Sequence, residues 1–161
     1  MCDFCAFCRY FYASRYLPIA YFENDVCLYS EGFPRDIPIY QSVLRILTAA
    51  RRTPAAYTAA DTGIYGIVRT SETGGYLLLG PAYSGHITKE LVLSYMADNA
   101  IPRNREQEIS QFLYAIPHYS YNRFLHVLLF LHLILNGEAL SITEHFDVSD
   151  MSYEHEMASR L

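Results

Sequence analysis

The run GIYGIVRTSETGGYLLLGPAYSG, residues 63–85, constrains the fold more than any other part of the chain. Two apolar stretches, Ile64 to Thr70 and Gly75 to Gly80, are built from β-branched, aromatic and leucine residues, and Ser71-Glu72-Thr73-Gly74 between them has turn chemistry. The pattern predicts a β-hairpin. A loop at Ser71 to Gly74 sets Arg69 opposite Tyr76 and Ile67 opposite Leu78. Tyr65, Ile67, Arg69, Tyr76 and Leu78 then share one face, and Val68, Leu77 and Leu79 the other. Both faces are apolar enough to be covered. The glycines at 63, 66, 74, 75 and 80 sit in or beside the hairpin, where turn geometry explains them.

The segments around the hairpin supply the rest of a sheet. An N-terminal helix over about residues 3 to 15 leads into two short strands, Leu17 to Glu23 and Val26 to Ser30, joined by Asn24-Asp25. A helix starting near Asp36, with Pro38 in its first turn, buries Ile39, Val43, Ile46 and Leu47 and ends near Arg51-Arg52 before Pro54. That basic pair suits a helix C-terminus. Ala55 to Ala60 is a further strand. The order helix, strand, strand, helix, strand, strand, strand predicts an α+β fold: a five-stranded, mainly antiparallel sheet of the PAS or GAF kind with a crossover helix over one face.

Three helices follow. Thr88 is a good N-cap for Lys89 to Asp98, and Ile101-Pro102 breaks that helix. A second spans roughly Glu106 to Ala115 and stops at Ile116-Pro117. The third begins after Ser120, runs through Arg123 to Leu135 and ends at Asn136-Gly137. Its apolar residues lie all around the axis, so it needs cover on several sides, inside the domain or against a partner, and a homodimer contact through Phe124, Leu128, Leu131 and Leu135 would supply it. Residues 1–138 therefore read as one domain, and 139–161 as an acidic polar linker or tail, truncated.

Charge and composition exclude several functions. A net charge of −5 gives no overall basic field for a phosphate backbone. Phe124 to Leu135 is well short of the roughly 20 apolar residues a spanning helix needs, and no secretory signal follows Met1, so a cytoplasmic, soluble protein without membrane contact is expected. Cys2, Cys5 and Cys8 form C-x-x-C-x-x-C, but the position of a fourth ferredoxin-type cysteine is Tyr12. Phe4, Phe7, Cys8 and Phe11 fall on one helical stripe, with Cys5 at its edge and Cys2 pointing away, which favours core cysteines over a metal site. His126 and His132, six apart, read as neutral, partly buried histidines. A nucleophile elbow, a phosphate-cradling loop, paired carboxylates on one helix face and H-E-x-x-H are all missing, so no enzyme and no cofactor are expected.

The segments YGIVRTSETGGYLLLGPAY, ITKELVLSYMADNAIP and AIPHYSYNRFLHVLLFLHLILNGE together resemble the N-terminal sensor region of AraC-type transcriptional regulators from Firmicutes. The matching residues are Leu79-Gly80-Pro81, Ile116-Pro117, Ser120, Arg123-Phe124-Leu125 and Leu135-Asn136-Gly137-Glu138, within residues 17–138. The resemblance implies a signal-receiving and dimerising domain, with DNA contacted only through helix-turn-helix motifs absent from this sequence. A small-molecule effector would sit between the sheet and its covering helix, where Tyr57, Tyr65, Arg69 and Tyr76 are the candidate ligand-binding residues. Two other readings stay open here: a thiol or metal module using Cys2, Cys5, Cys8 and Cys27, and a small enzyme of unrecognised type.

Overall fold

The computed structural model describes residues 3–34, 55–60, 63–70, 74–139 and 146–147. The helix expected from Asp36 to Arg52 lies outside these residues, as do Cys2 and the turn Ser71-Glu72-Thr73. The described fold is α+β. Helix α1 (Phe4–Arg15) precedes strands β1 (Ile19–Glu23), β2 (Val26–Glu31), β3 (Ala55–Ala60), β4 (Gly63–Arg69) and β5 (Tyr76–Ala82). Helices α2 (Lys89–Asp98), α3 (Glu106–Tyr114) and α4 (Tyr121–Asn136) follow, with a 3-10 turn at Arg103–Arg105 leading into α3.

The helix ends follow from capping chemistry. Asp3 Oδ1 accepts from the Ala6 N–H at 3.1 Å, the Thr88 hydroxyl from the Leu91 N–H at 3.1 Å, and Ser120 Oγ from the Arg123 N–H at 3.2 Å. Gly137 closes α4 in a left-handed conformation at φ 67°, its N–H donating to the Leu133 carbonyl. Asn24 and Asp25 both adopt positive φ, 52° and 60°, as a two-residue hairpin between twisted strands requires.

The sheet order is β2-β1-β5-β4-β3, all antiparallel, extended by the two-residue strand β6 (Phe146–Asp147) beside β3 in parallel. The segment read as a linker thus contributes two residues to the sheet edge. The hairpin register is the expected one, with Arg69 paired to Tyr76, Ile67 to Leu78 and Val68 to Leu77. β1 begins at Ile19 rather than Leu17, because Pro18 has no N–H for the ladder, although its carbonyl accepts from the Gly80 N–H at 2.9 Å. β5 continues past Gly80 to Ala82. Gly66 pairs with Leu79 and Ile64 with Ala82, so Gly80 and Pro81 together oppose Tyr65 alone. This is a β-bulge, with Gly80 at φ 113° and a cis Gly80-Pro81 peptide. A Cβ on Gly80 would stand 2.5 Å from the Ile64 carbonyl oxygen, so only glycine fits.

Each sheet face builds its own core. On one, Ile19, Tyr21, Ile64, Val68, Leu77 and Leu79 meet Phe4, Cys8 and Phe11 of α1 and Phe124, Leu125, Leu128 and Leu131 of α4. Phe4 stacks on Tyr21 at 4.0 Å between ring centroids. Gly66 lets α4 close on β4, since a Cβ there would lie 2.7 Å from Leu128 Cδ1. The other face gathers Ala20, Phe22, Ala56, Tyr65, Ile67, Tyr76 and Leu78. α2 reaches it through Tyr95, whose hydroxyl shares a hydrogen bond with Tyr65. Burial, and then that neighbour, drives the Tyr95 hydroxyl far above its ordinary pKa, so the pair is a neutral buried hydrogen bond. α2 and α3 pack on one another through Val92, Tyr95, Met96, Ile109 and Leu113. Among the described residues no helix is long and apolar enough to cross a membrane.

Candidate functional site: an aromatic cleft between α1 and α3

Three segments far apart in sequence meet at an open cleft of about 380 Å3. The last turn of α1 and its exit supply Tyr12, Tyr16 and Pro18, the end of β2 supplies Gly32, Phe33 and Pro34, and α3 with its exit supplies Glu108, Gln111, Phe112, Ala115 and Ile116. The volume lies in the range of small-molecule sites.

Local structure holds each wall. α1 ends when Tyr16 turns left-handed at φ 57°, and this sets its ring edge-on to that of Tyr12, 6.2 Å between centroids. Gly32, at φ 86°, has no side chain where a Cβ would come within 2.5 Å of Tyr12 Cε2, so the Tyr12 ring rests on the backbone that leaves β2. Opposite, Phe33 and Phe112 pack as a tilted pair with centroids 6.3 Å apart. Glu108 is held by Arg105: Nε and Nη2 each donate to one carboxylate oxygen at 2.9 Å. Both side chains are partly exposed, so this fork gives orientation with little stability. Tyrosine and phenylalanine faces, one carboxylate and one amide therefore line a half-wet recess.

The residues singled out in the sequence lie elsewhere, three on one face of the sheet and Tyr57 on the other. Tyr65, Arg69 and Tyr76 share a face, with the Arg69 guanidinium 6.0 Å from the Tyr76 ring centre. Their hydroxyls have structural partners: Tyr65 bonds Tyr95, and the Tyr76 hydroxyl donates to Asp25 Oδ1 at 3.3 Å. Burial first, then the charge and hydrogen bond of Asp25, holds the Tyr76 hydroxyl well above its usual pKa and so protonated. Tyr57 packs on the opposite face, because its partner in β4 is Gly66 and Tyr65 pairs with Thr58.

Phe124, Leu128 and Leu131 are buried in the core of the chain itself, and Leu135 packs against it. The apolar surface α4 leaves to solvent is a different stripe, Phe130, Leu133 and Ile134. Cys8 is buried, Cys5 is exposed on α1 and Cys27 lies half-buried on β2, packed against the other sheet face. No cluster of three His, Cys, Asp or Glu residues with metal-binding geometry exists among the described residues. His126 is exposed, its Nδ1 2.7 Å from the Asn122 carbonyl. His132 is buried, and burial lowers its pKa, only partly opposed by the charge of Glu138, so it is neutral. Its Nδ1 accepts from Asn136 Nδ2 at 2.8 Å, the same amide that donates to the Arg69 carbonyl.

Comparisons with protein-family models, with curated proteins and with solved structures each returned no match.

Sequence reasoning missed the cleft residues. Phe33, an aromatic placed between Gly32 and Pro34 at a strand exit, and Phe112, on the Ile109–Leu113 stripe of α3, were the signals available for it.

Proposed function

We propose that this chain is the signal-receiving and dimerisation domain of a bacterial transcriptional regulator of the AraC type, with a PAS/GAF-like sheet and a small-molecule effector. DNA contact would belong to a helix-turn-helix part outside these residues. The observation that carries the reading is the aromatic cleft, which has the size and mixed lining of an effector pocket.

In this reading the cleft communicates with an output surface on α4. Arg15, at the end of α1, places its guanidinium 5.9 Å from the rings of both Phe11 and Phe130. An occupant that fixes the Tyr12–Tyr16 turn biases how α1 sits on α4. The exposed stripe Phe130, Leu133, Ile134 is then the surface through which two copies associate, since contiguous exposed apolar area marks interaction sites.

A thermal-shift screen against polar aromatic, cationic and anionic metabolites tests the sensor reading. A ligand at 100 times its Kd adds about 2.7 kcal/mol to stability, a rise of roughly 5–10 °C in Tm for a chain of this size. The same compound should lose its effect on Gln111→Trp, which fills the cleft from an exposed helix position. A screen in which no compound moves Tm, or in which Gln111→Trp responds like the parent, contradicts the proposal.

A further inference from the structure

Resting on that reading, we infer that the cleft takes a small organic cation, of the quaternary or methylated ammonium class. Four rings line it, in two pairs contributed by different segments: Tyr12 with Tyr16, and Phe33 with Phe112. Aromatic faces carry negative potential and attract cations that have shed water. Among the described lining residues the one carboxylate is Glu108, and none is a lysine, arginine or histidine. Among the described lining residues, an anionic ligand would meet that carboxylate and no cation.

Glu108 already shows how it receives a cation. Both of its oxygens accept from the Arg105 guanidinium, at 2.9 Å each, in an exposed pair that a second cation can share or displace. The described lining side chains add the Gln111 amide and the two tyrosine hydroxyls to otherwise apolar groups. A methylated ammonium presents only C–H groups to the rings, whereas a primary one must give up stronger hydrogen bonds to water to reach them. Gly32 supports the same use, because its missing side chain lets the Tyr12 ring lie flush with the backbone at the cleft wall.

The test is isothermal titration with choline and with its uncharged isostere 3,3-dimethylbutan-1-ol, which match in shape and differ in charge. The inference predicts that choline binds at least about tenfold more tightly than the isostere. Glu108→Gln should weaken choline about fivefold or more and leave the isostere unchanged, and Arg105→Gln, which frees the carboxylate, should leave choline binding equal or stronger. Equal affinities for the two probes, no choline binding up to tens of millimolar, or a loss of choline binding in Arg105→Gln matching that in Glu108→Gln would overturn it. These failures are separable from failure of the sensor reading: a screen with neutral or anionic ligands that Gln111→Trp abolishes keeps the pocket and rejects only the cation.

Discussion

Removing Leu128 and adding a methyl at Gly66 should compensate one another, because the two changes meet at the crossing of α4 and β4. Leu128 is 1% exposed, and a Cβ built on Gly66 would lie 2.7 Å from its Cδ1 and 2.8 Å from its Cδ2. Leu128→Ala alone therefore deletes a fully buried side chain and leaves a void, at a cost of about 3 kcal/mol within the usual span for such changes. Gly66→Ala alone forces the Leu128 methyls outward in a packed core, costing about 1–3 kcal/mol. In the double variant the new methyl occupies space the leucine has vacated, so its closest contacts are relieved, Phe124 Cε1 at 3.1 Å remaining, and part of the void is filled. The double variant should then cost no more than Leu128→Ala by itself, a favourable coupling of about 1–3 kcal/mol. Urea unfolding of all four proteins at 25 °C measures it. Additivity within about 0.5 kcal/mol would refute the packing of α4 on Gly66.

Other expectations follow from the same structure. Gly80→Ala should destabilise by about 3 kcal/mol in urea unfolding, since it combines a positive φ of 113° with a Cβ 2.5 Å from the Ile64 carbonyl oxygen; a loss below about 1 kcal/mol would contradict the bulge. Tyr95→Phe removes the buried hydrogen bond to Tyr65 and should cost about 1–2 kcal/mol by the same assay, and a neutral result would show that the hydroxyls do not depend on each other. His132 binds its proton less readily folded than unfolded, so its contribution to stability is intact above the unfolded pKa of about 6.5 and is lost as pH falls below it, by at most about 1.4 kcal/mol per pH unit. His132→Leu should flatten the fall in stability between pH 7.5 and 5.5, and an unchanged slope would count against a buried neutral imidazole. Leu133→Asp should convert a dimer to a folded monomer in sedimentation velocity, whereas Leu128→Asp should unfold the protomer; a dimer unaffected by Leu133→Asp would place the contact elsewhere.

The sheet was largely legible because its signals are local. Two apolar runs around a turn set the β4–β5 register, and Thr88, Ser120 and Gly137 marked helix ends by their own capping chemistry. Where the reading stopped short, the deciding partner was distant. α4 is apolar around its whole circumference, so periodicity could not say which side meets the sheet; the choice is made by Gly66, where β4 has no side chain and Leu128 and Phe124 fit. Tyr57 and Tyr65 looked like one site because both are strand tyrosines, yet Ala60 pairs with Gly63, which sets Tyr57 opposite Gly66 and sends the two rings to opposite faces. The cleft was invisible for the same reason. Its walls come from residues 12–18, 32–34 and 108–116, and among the described residues the close approach permitted by Gly32 and the Phe33–Phe112 contact help to bring them together.

The most direct test of the sensor reading is the native mass of the protein purified from its expression host, measured beside Gln111→Trp. The account predicts a dimer, a fraction of which carries a small organic molecule that dissociates on activation in the gas phase, and a Gln111→Trp dimer of equal stability that carries none. An identical adduct on both proteins would place the ligand outside the α1–α3 cleft, and a monomer that is empty as purified and stays empty when the screened metabolites are added would contradict the account.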